Sequence, residues 1–286
     1  MKVRAYAKVN LALDVVRRRE DGFHDLEMIM APIFLHDLIL VDPIYNNPVI
    51  EISANSRVIP LDERNIVYKV AKLLIDRFEI PHGVKIQIYK HIPMQAGLAG
   101  GSADGAAVLR AMNELFNLNL TLEQLATIGD EVGSDIPFCI YQQFAFVQGK
   151  GENLEFFEAN PDYKILLVKP RRGVSTKQSF GTLNLETCAH PDCRKMREAL
   201  VNNDEATFLS CLGNSLEEPS LKLVPEIQNI KDELEALGFD GVLMSGSGSC
   251  VFALTKDEDL LEKAHSEMKK KYPFVLRTRF KQQNEK

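Results

Sequence analysis

The sequence predicts an α+β protein in two domains. Three observations carry that reading. Strand-like and helix-like segments are mixed but do not alternate strictly, which disfavours a parallel doubly wound sheet. The 286 residues suit one large domain or two of ordinary size. The polar segment GKGENLEFFEANPDY, 149–163, has glycines at one end and Pro161 at the other, so the expected domains are 1–158 and 159–286.

The elements follow in order. Val3, Ala5, Ala7, Val9, Leu11, Leu13 and Val15 are apolar at every second place, with Arg4, Tyr6, Lys8, Asn10 and Asp14 on the other face, the alternation of a strand. RRREDGFHD then reads as a turn around Asp21-Gly22. LEMIMAPIFLHDLILV supplies more strand, expected to break at Pro32. A helix is predicted over about 64–78, with Ile66, Val70, Leu73 and Leu74 on one side, and VKIQIYKHI alternates again. Further helices are expected at about 102–116 and 122–132, the latter stopping at Gly133. A strand at 144–148 precedes the boundary. Beyond it come a strand, KILLVKP, and helices near 194–201, 205–217 and 226–237. GVLMSGSGSCVFAL reads as strand, glycine loop, strand; a charged helix over 258–271 and the strand FVLRTRF complete the chain.

Hydrophobic residues make up 45% and charged residues 26%, a mix that forms a sizeable core without disulfides or metals. The net charge of -6 and pI near 5.6 argue against general nucleic-acid binding. No apolar run approaches the roughly 20 residues of a membrane span, and the charged, alternating N-terminus does not read as a signal peptide. A cytoplasmic protein with no membrane or nucleic-acid partner is expected, with its five cysteines reduced. CAHPDC, 188–193, offers three soft ligands, but no second cluster completes a metal site and Cys-x4-Cys is not a usual zinc spacing; it reads as a polar loop, and no protein metal site is expected.

IPMQAGLAGGSADGAAVL, 92–109, concentrates the candidate chemistry. It follows a strand and opens a helix, where free N–H groups bind anions and glycines let a phosphate approach. Ser102 could cap that helix or offer its hydroxyl to phosphate or Mg2+. The P-loop lysine is missing, and Gly97-x-x-Gly100-Gly101 does not fit a dinucleotide fingerprint. On spacing alone it is a phosphate loop of another kind or a glycine-rich turn. Asp135 in GSDIPFC could take a proton from a hydroxyl, or be a solvated or capping aspartate. Lys8 alone would be a solvated strand residue, and SGSGS, 245–249, a flexible turn.

Taken together and in order, AKVNLAL, IPMQAGLAGGSADGAAVL, GSDIPFC and MSGSGSCVFAL resemble the GHMP kinase superfamily over nearly the whole chain. The run DGFHDLEMIM makes the chain similar to those members whose acceptor carries a cytidine diphosphate group. The resemblance implies an N-terminal domain like the second domain of ribosomal protein S5 and a ferredoxin-like C-terminal domain. It implies an ATP-dependent kinase of the non-mevalonate isoprenoid pathway, acting on the 2-hydroxyl of a methylerythritol moiety, as a monomer or homodimer, with Mg2+ bound mainly through the ATP phosphates. Carried over residue by residue, Asp135 and Lys8 match the catalytic pair. Pro93, Met94, Gln95, Ala96, Gly97, Leu98, Ala99, Gly100, Gly101, Ser102 and Ala103 match the phosphate loop, and Asn65 a residue near the adenine. Phe23 and His24 match an aromatic–histidine pair that holds cytosine, Phe180 the other stacking face, and Asn10 a polar residue near the acceptor.

The chain departs from the family pattern in four places. Tyr6 stands where proline is common, Phe23 where tyrosine is usual, and Ser249 where proline is usual. SADGAA replaces SSDAA, so Gly105 weakens its helix by about 1 kcal/mol. Two other readings make different demands. Another GHMP kinase would lack the cytosine pocket. A nucleotide-binding regulator without turnover would have no need of both Lys8 and Asp135.

Overall fold

A computed structural model describes residues 1–282. Its elements in chain order are β1 (Lys2–Arg18), β2 (His24–Ile44), β3 (Ile50–Ala54), α1 (Ile66–Arg77), β4 (Gly83–Tyr89), α2 (Gly100–Leu115), α3 (Leu122–Asp130), α4 (Ile136–Tyr141), β5 (Ala145–Gly149) and β6 (Asn153–Phe156). There follow β7 (Lys164–Lys169), α5 (Thr176–Gly181), α6 (Cys193–Asn202), α7 (Glu205–Ser210), β8 (Gly213–Asn214), α8 (Glu217–Leu223), α9 (Glu226–Leu237), β9 (Gly241–Met244), β10 (Val251–Thr255), α10 (Glu258–Met268) and β11 (Phe274–Arg279). The described residues form two compact units, one of residues 1–7, 35–92 and 99–142, the other of 8–34, 93–98 and 143 onward.

In the first unit, β4 pairs parallel with β3 and antiparallel with residues 38–44 of β2. Val67, Val70, Ala71 and Leu74 of α1 and Ala103, Ala106, Ala107 and Val108 of α2 are buried. Gly105 lets these two helices approach: a Cβ there would lie 2.7 Å from Ile66 Cγ2. The propensity lost at Gly105 is thus offset by close packing.

The second unit contains a four-stranded antiparallel sheet in the order β11-β7-β10-β9. Numbered among themselves, these strands lie in the order 4-1-3-2, with helices between the first and second and between the third and fourth, the ferredoxin-like β-α-β-β-α-β arrangement. Ile227, Ile230 and Leu234 of α9 and Leu261, Ala264 and Met268 of α10 pack with Leu166, Val168, Val251 and Ala253 in one core. Residues 26–30 of β2 pair with β5, which pairs with β6.

Four expectations are corrected. β2 does not break at Pro32. The proline falls between the stretch that pairs with β5 and the stretch that pairs with β4, and its carbonyl accepts from Lys281 N at 2.9 Å. Helix α2 starts at Gly100, not Ser102. Its N-cap is Ala99, left-handed at φ 55, without a side-chain cap, so Ser102 lies inside the first turn. The single helix expected over 205–217 is two, α7 and α8. Between them β8 pairs parallel with Ala12 and Leu13 of β1, and Asn214 turns its side chain to the 244–246 backbone. The polar 149–163 segment contains β6, whose backbone finds a ladder partner in β5. Two short helices, α4 and α5, had no periodic signal because six residues are too few to show one.

Candidate active site

Lys8 sits in the buried middle of β1, 5% exposed, and its ammonium donates to Asn10 Oδ1 at 2.6 Å. Alternation puts both on one strand face, as the sequence indicates. Lys8 N donates to Leu98 O at 3.3 Å, tying the strand to the glycine loop. Asn10 N donates to Ser245 Oγ at 3.2 Å, and that hydroxyl donates to Gly97 O at 3.0 Å. Ser249 N and Cys250 N donate to Gln95 O and Ala96 O, each at 3.2 Å. The late SGSGS loop therefore braces residues 95–97 of the glycine loop. Asn214, which no sequence signal picked out, fixes the brace by donating to Met244 O at 2.8 Å and Gly246 O at 2.7 Å.

That brace explains one glycine. At Gly97 φ is +73 and a Cβ would lie 1.8 Å from Ser245 O, so no other residue fits. Gly100 has a different reason: a Cβ there would meet Ile92 Cγ2 at 2.9 Å and Lys90 Nζ at 3.3 Å. Beneath this start of α2, Lys90 donates to Asp37 and, at 2.9 Å, to Asp104 Oδ2. Asp37 Oδ1 also accepts from Ile92 N at 2.8 Å. Burial raises the Asp104 carboxyl well above its ordinary range, and its Oδ1 has no hydrogen-bond partner. The first turn of α2 is left without a side-chain cap, so its N–H groups remain available to an anion.

Asp135 is the N-cap residue of α4 by position, yet its carboxylate makes no capping bond. It is half-buried and chemically uncommitted to the helix. In the same unit Ser102 Oγ lies 4.0 Å from the place a Cβ would take at Gly133, two residues before Asp135. Asn65 is spent on structure: Oδ1 accepts from Val67 N at 3.1 Å as the cap of α1, and Nδ2 donates to Pro60 O at 2.6 Å. Its amide therefore positions α1.

Phe23 and His24 end the β1–β2 hairpin, which Arg19 locks by pairing with Asp21 and Asp25. Phe23 is 60% exposed, with Lys150 Nζ 5.5 Å from its ring centroid. His24 stacks on Phe180 of α5, centroids 5.0 Å apart and rings 29° from parallel. Phe180, which the resemblance makes the other stacking face, thus lies directly against His24. Burial, then the Arg18 charge, lower the His24 pKa, so the ring is neutral near pH 7, with one donor and one acceptor. Ser179 Oγ lies 2.8 Å from Ser220 Oγ, which donates to Ser247 O at 3.0 Å, linking α5 to the late loop.

The second unit holds the glycine loop braced at residues 95–97 and the buried Lys8, and the first holds the uncapped start of α2 and the uncommitted Asp135, the kinds of group that phosphoryl transfer without a P-loop calls for. The model of the GHMP kinases N terminal domain matches residues 65–143, and that of the GHMP kinases C terminal matches 196–273. The chain belongs to the GHMP kinase family, and it is a kinase with that family's two-domain α+β fold.

Among its relatives, the 4-diphosphocytidyl-2-C-methyl-D-erythritol kinase of Exiguobacterium sibiricum is 46% identical over 92% of both chains. That of Bacillus subtilis is 43% identical over 92% of this chain and 91% of its own. A crystal structure of a 4-(cytidine 5'-diphospho)-2C-methyl-D-erythritol kinase superposes with a TM-score of 0.83 at 32% identity, covering 98% of this chain and 99% of that one. Homoserine kinase from Cytophaga hutchinsonii, 18% identical over 97% and 96% with a TM-score of 0.73, shares the fold. No helix among the described residues is long and apolar enough to cross a membrane.

Proposed function

We propose that the chain transfers the γ-phosphoryl group of ATP to the 2-hydroxyl of 4-diphosphocytidyl-2-C-methyl-D-erythritol, a step toward isoprenoid precursors. The observation that carries this reading is the 41–46% identity, over about nine-tenths of the chain, to curated kinases bearing that substrate's name.

In this reading Asp135 accepts the acceptor's hydroxyl proton, or orients that hydroxyl, as attack begins. Lys8 stabilises charge developing on the transferred group; its buried position strengthens that effect. Loop N–H groups from Gly97 to Ser102 hold the polyphosphate. Phe23 supplies a stacking surface, and neutral His24 reads the cytosine edge. Phe180 holds His24 in place, Asn10 orients Lys8, and Asn65 shapes the nucleotide side through α1. Mg2+ prefers oxygen ligands and keeps close to substrate phosphates, which suits a first helical turn bearing the Ser102 hydroxyl. When bound it would neutralise phosphate charge. The two halves are read as 1–158 and 159–286, in a cytoplasmic monomer or homodimer. Competition separates this kinase from its relatives: free CDP should inhibit turnover competitively against the acceptor. Failure of CDP to inhibit removes the cytosine pocket and leaves a GHMP kinase with another acceptor.

A further inference from the structure

The segment Lys169-Pro170-Arg171-Arg172 carries three cations in four residues of an acidic chain. Lys169 ends β7 and is 7% exposed. Its ammonium donates to Pro170 O at 3.2 Å, a neutral acceptor. Burial lowers its pKa, and its neighbour Cys250, pushed up to about 12, is an uncharged thiol that gives no counter-ion. A buried ammonium without a carboxylate is costly. Arg171 and Arg172 have no ion-pair partner among the described residues, whereas Arg17, Arg64, Arg77, Arg194 and Arg197 each face a carboxylate.

The chain from Arg172 to Thr176 runs against both glycine loops. Ser249 Oγ donates to Arg172 O at 2.7 Å. At Gly173 a Cβ would lie 2.5 Å from the Gln95 side chain, so the chain passes against the phosphate loop. Thr176 Oγ1 lies 2.8 Å from Ser247 Oγ. The unpaired cations therefore lead directly into a stretch of chain that meets residues 95, 247 and 249.

We propose that Lys169, Arg171 and Arg172 form a cationic strap that binds phosphate groups of an incoming nucleotide polyphosphate. The proposal rests on the kinase reading but assigns residues that no family motif supplies. Guanidinium groups suit it because they bind phosphate oxygens in pairs. The same chemistry could come from the triphosphate of ATP or the diphosphate of the acceptor.

Titration calorimetry on the full chain separates these sources. The probes are ATP, CDP, cytidine and inorganic pyrophosphate, against wild type and the R171A/R172A double variant. The strap predicts at least about tenfold weaker binding of pyrophosphate and of ATP, CDP or both, with cytidine unchanged. R171K/R172K should recover part of the loss by keeping the charge. Lys169→Met should weaken the same ligands while raising Tm, since it removes an uncompensated buried charge. Affinities of the double variant within about twofold of wild type for all three phosphates overturn the strap, as does a wild type that binds none of them. If pyrophosphate binding depends on the arginines while the cytidyl acceptor is not turned over, the strap stands and the acceptor assignment falls.

Discussion

Asp135 occupies a cap position without capping, and that idleness is what a reacting group needs. Asp135→Asn keeps the shape and removes the basicity, so kcat should fall by about 10^2 or more, with KM for ATP within about twofold. A steady-state rate above half of wild type would take Asp135 out of the chemistry. His24 makes a pH-dependent claim. Its folded pKa is depressed by burial and Arg18, so the neutral ring persists below the ordinary value near 6.5. KM for the cytidyl acceptor should stay level from alkaline pH down through that value and rise only below it. His24→Ala should raise KM at least about tenfold and flatten that profile. A wild-type KM already rising at about pH 7.5 would contradict a neutral His24. That Lys8 and Asn10 share a strand face was legible because alternation shows through a long strand; that this face is buried and not solvated was not, because tertiary packing covers it. Asn214 was not, because a buried asparagine bracing a distant loop leaves no periodic trace.

At the scale of elements, packing decides which glycines matter. Gly105→Ala gains about 1 kcal/mol of helix propensity but drives a methyl to 2.7 Å from Ile66 Cγ2, on a stiff β-branched side chain. Overpacking of that kind costs about 1–3 kcal/mol, so the variant should be no more stable than wild type and is expected to be less so. Chemical denaturation that shows a gain near 1 kcal/mol would mean α1 yields freely. The loop over 185–190 gives a second test. Both ring nitrogens of His190 face acceptors, Asp14 Oδ1 at 2.6 Å and Leu185 O at 2.9 Å, so the imidazolium is favoured and the pKa raised, first by the Leu185 carbonyl and then by Asp14. A raised folded pKa contributes stability that is fully present below the unfolded value and lost as pH rises through the folded one. The Tm deficit of His190→Ala should therefore be largest near pH 5.5 and shrink by about pH 9. A deficit that grows with pH would refute this account of His190. The residue is nearly half exposed, so the effect is small. The long amphipathic elements were readable from periodicity. Strand β8, two residues long and paired by a distant stretch of β1, is a tertiary choice that local pattern cannot announce.

For the whole molecule, order of motifs carried more than any one motif. Alone, the glycine loop was consistent with a plain turn, and the structure gives Gly97 and Gly100 packing reasons. The functional reading of the loop draws on what each unit offers: an uncapped helix start in the first, and in the second the late loop bracing residues 95–97 and Lys8 tied to Leu98. The most direct measurement is ADP release by wild type over a panel of acceptor alcohols at saturating ATP. The account predicts rapid turnover with 4-diphosphocytidyl-2-C-methyl-D-erythritol, at least about tenfold lower kcat/KM with its uridine analogue, and background rates with homoserine and mevalonate. Equal use of the cytidine and uridine compounds, or preferred turnover of homoserine or mevalonate, would contradict it.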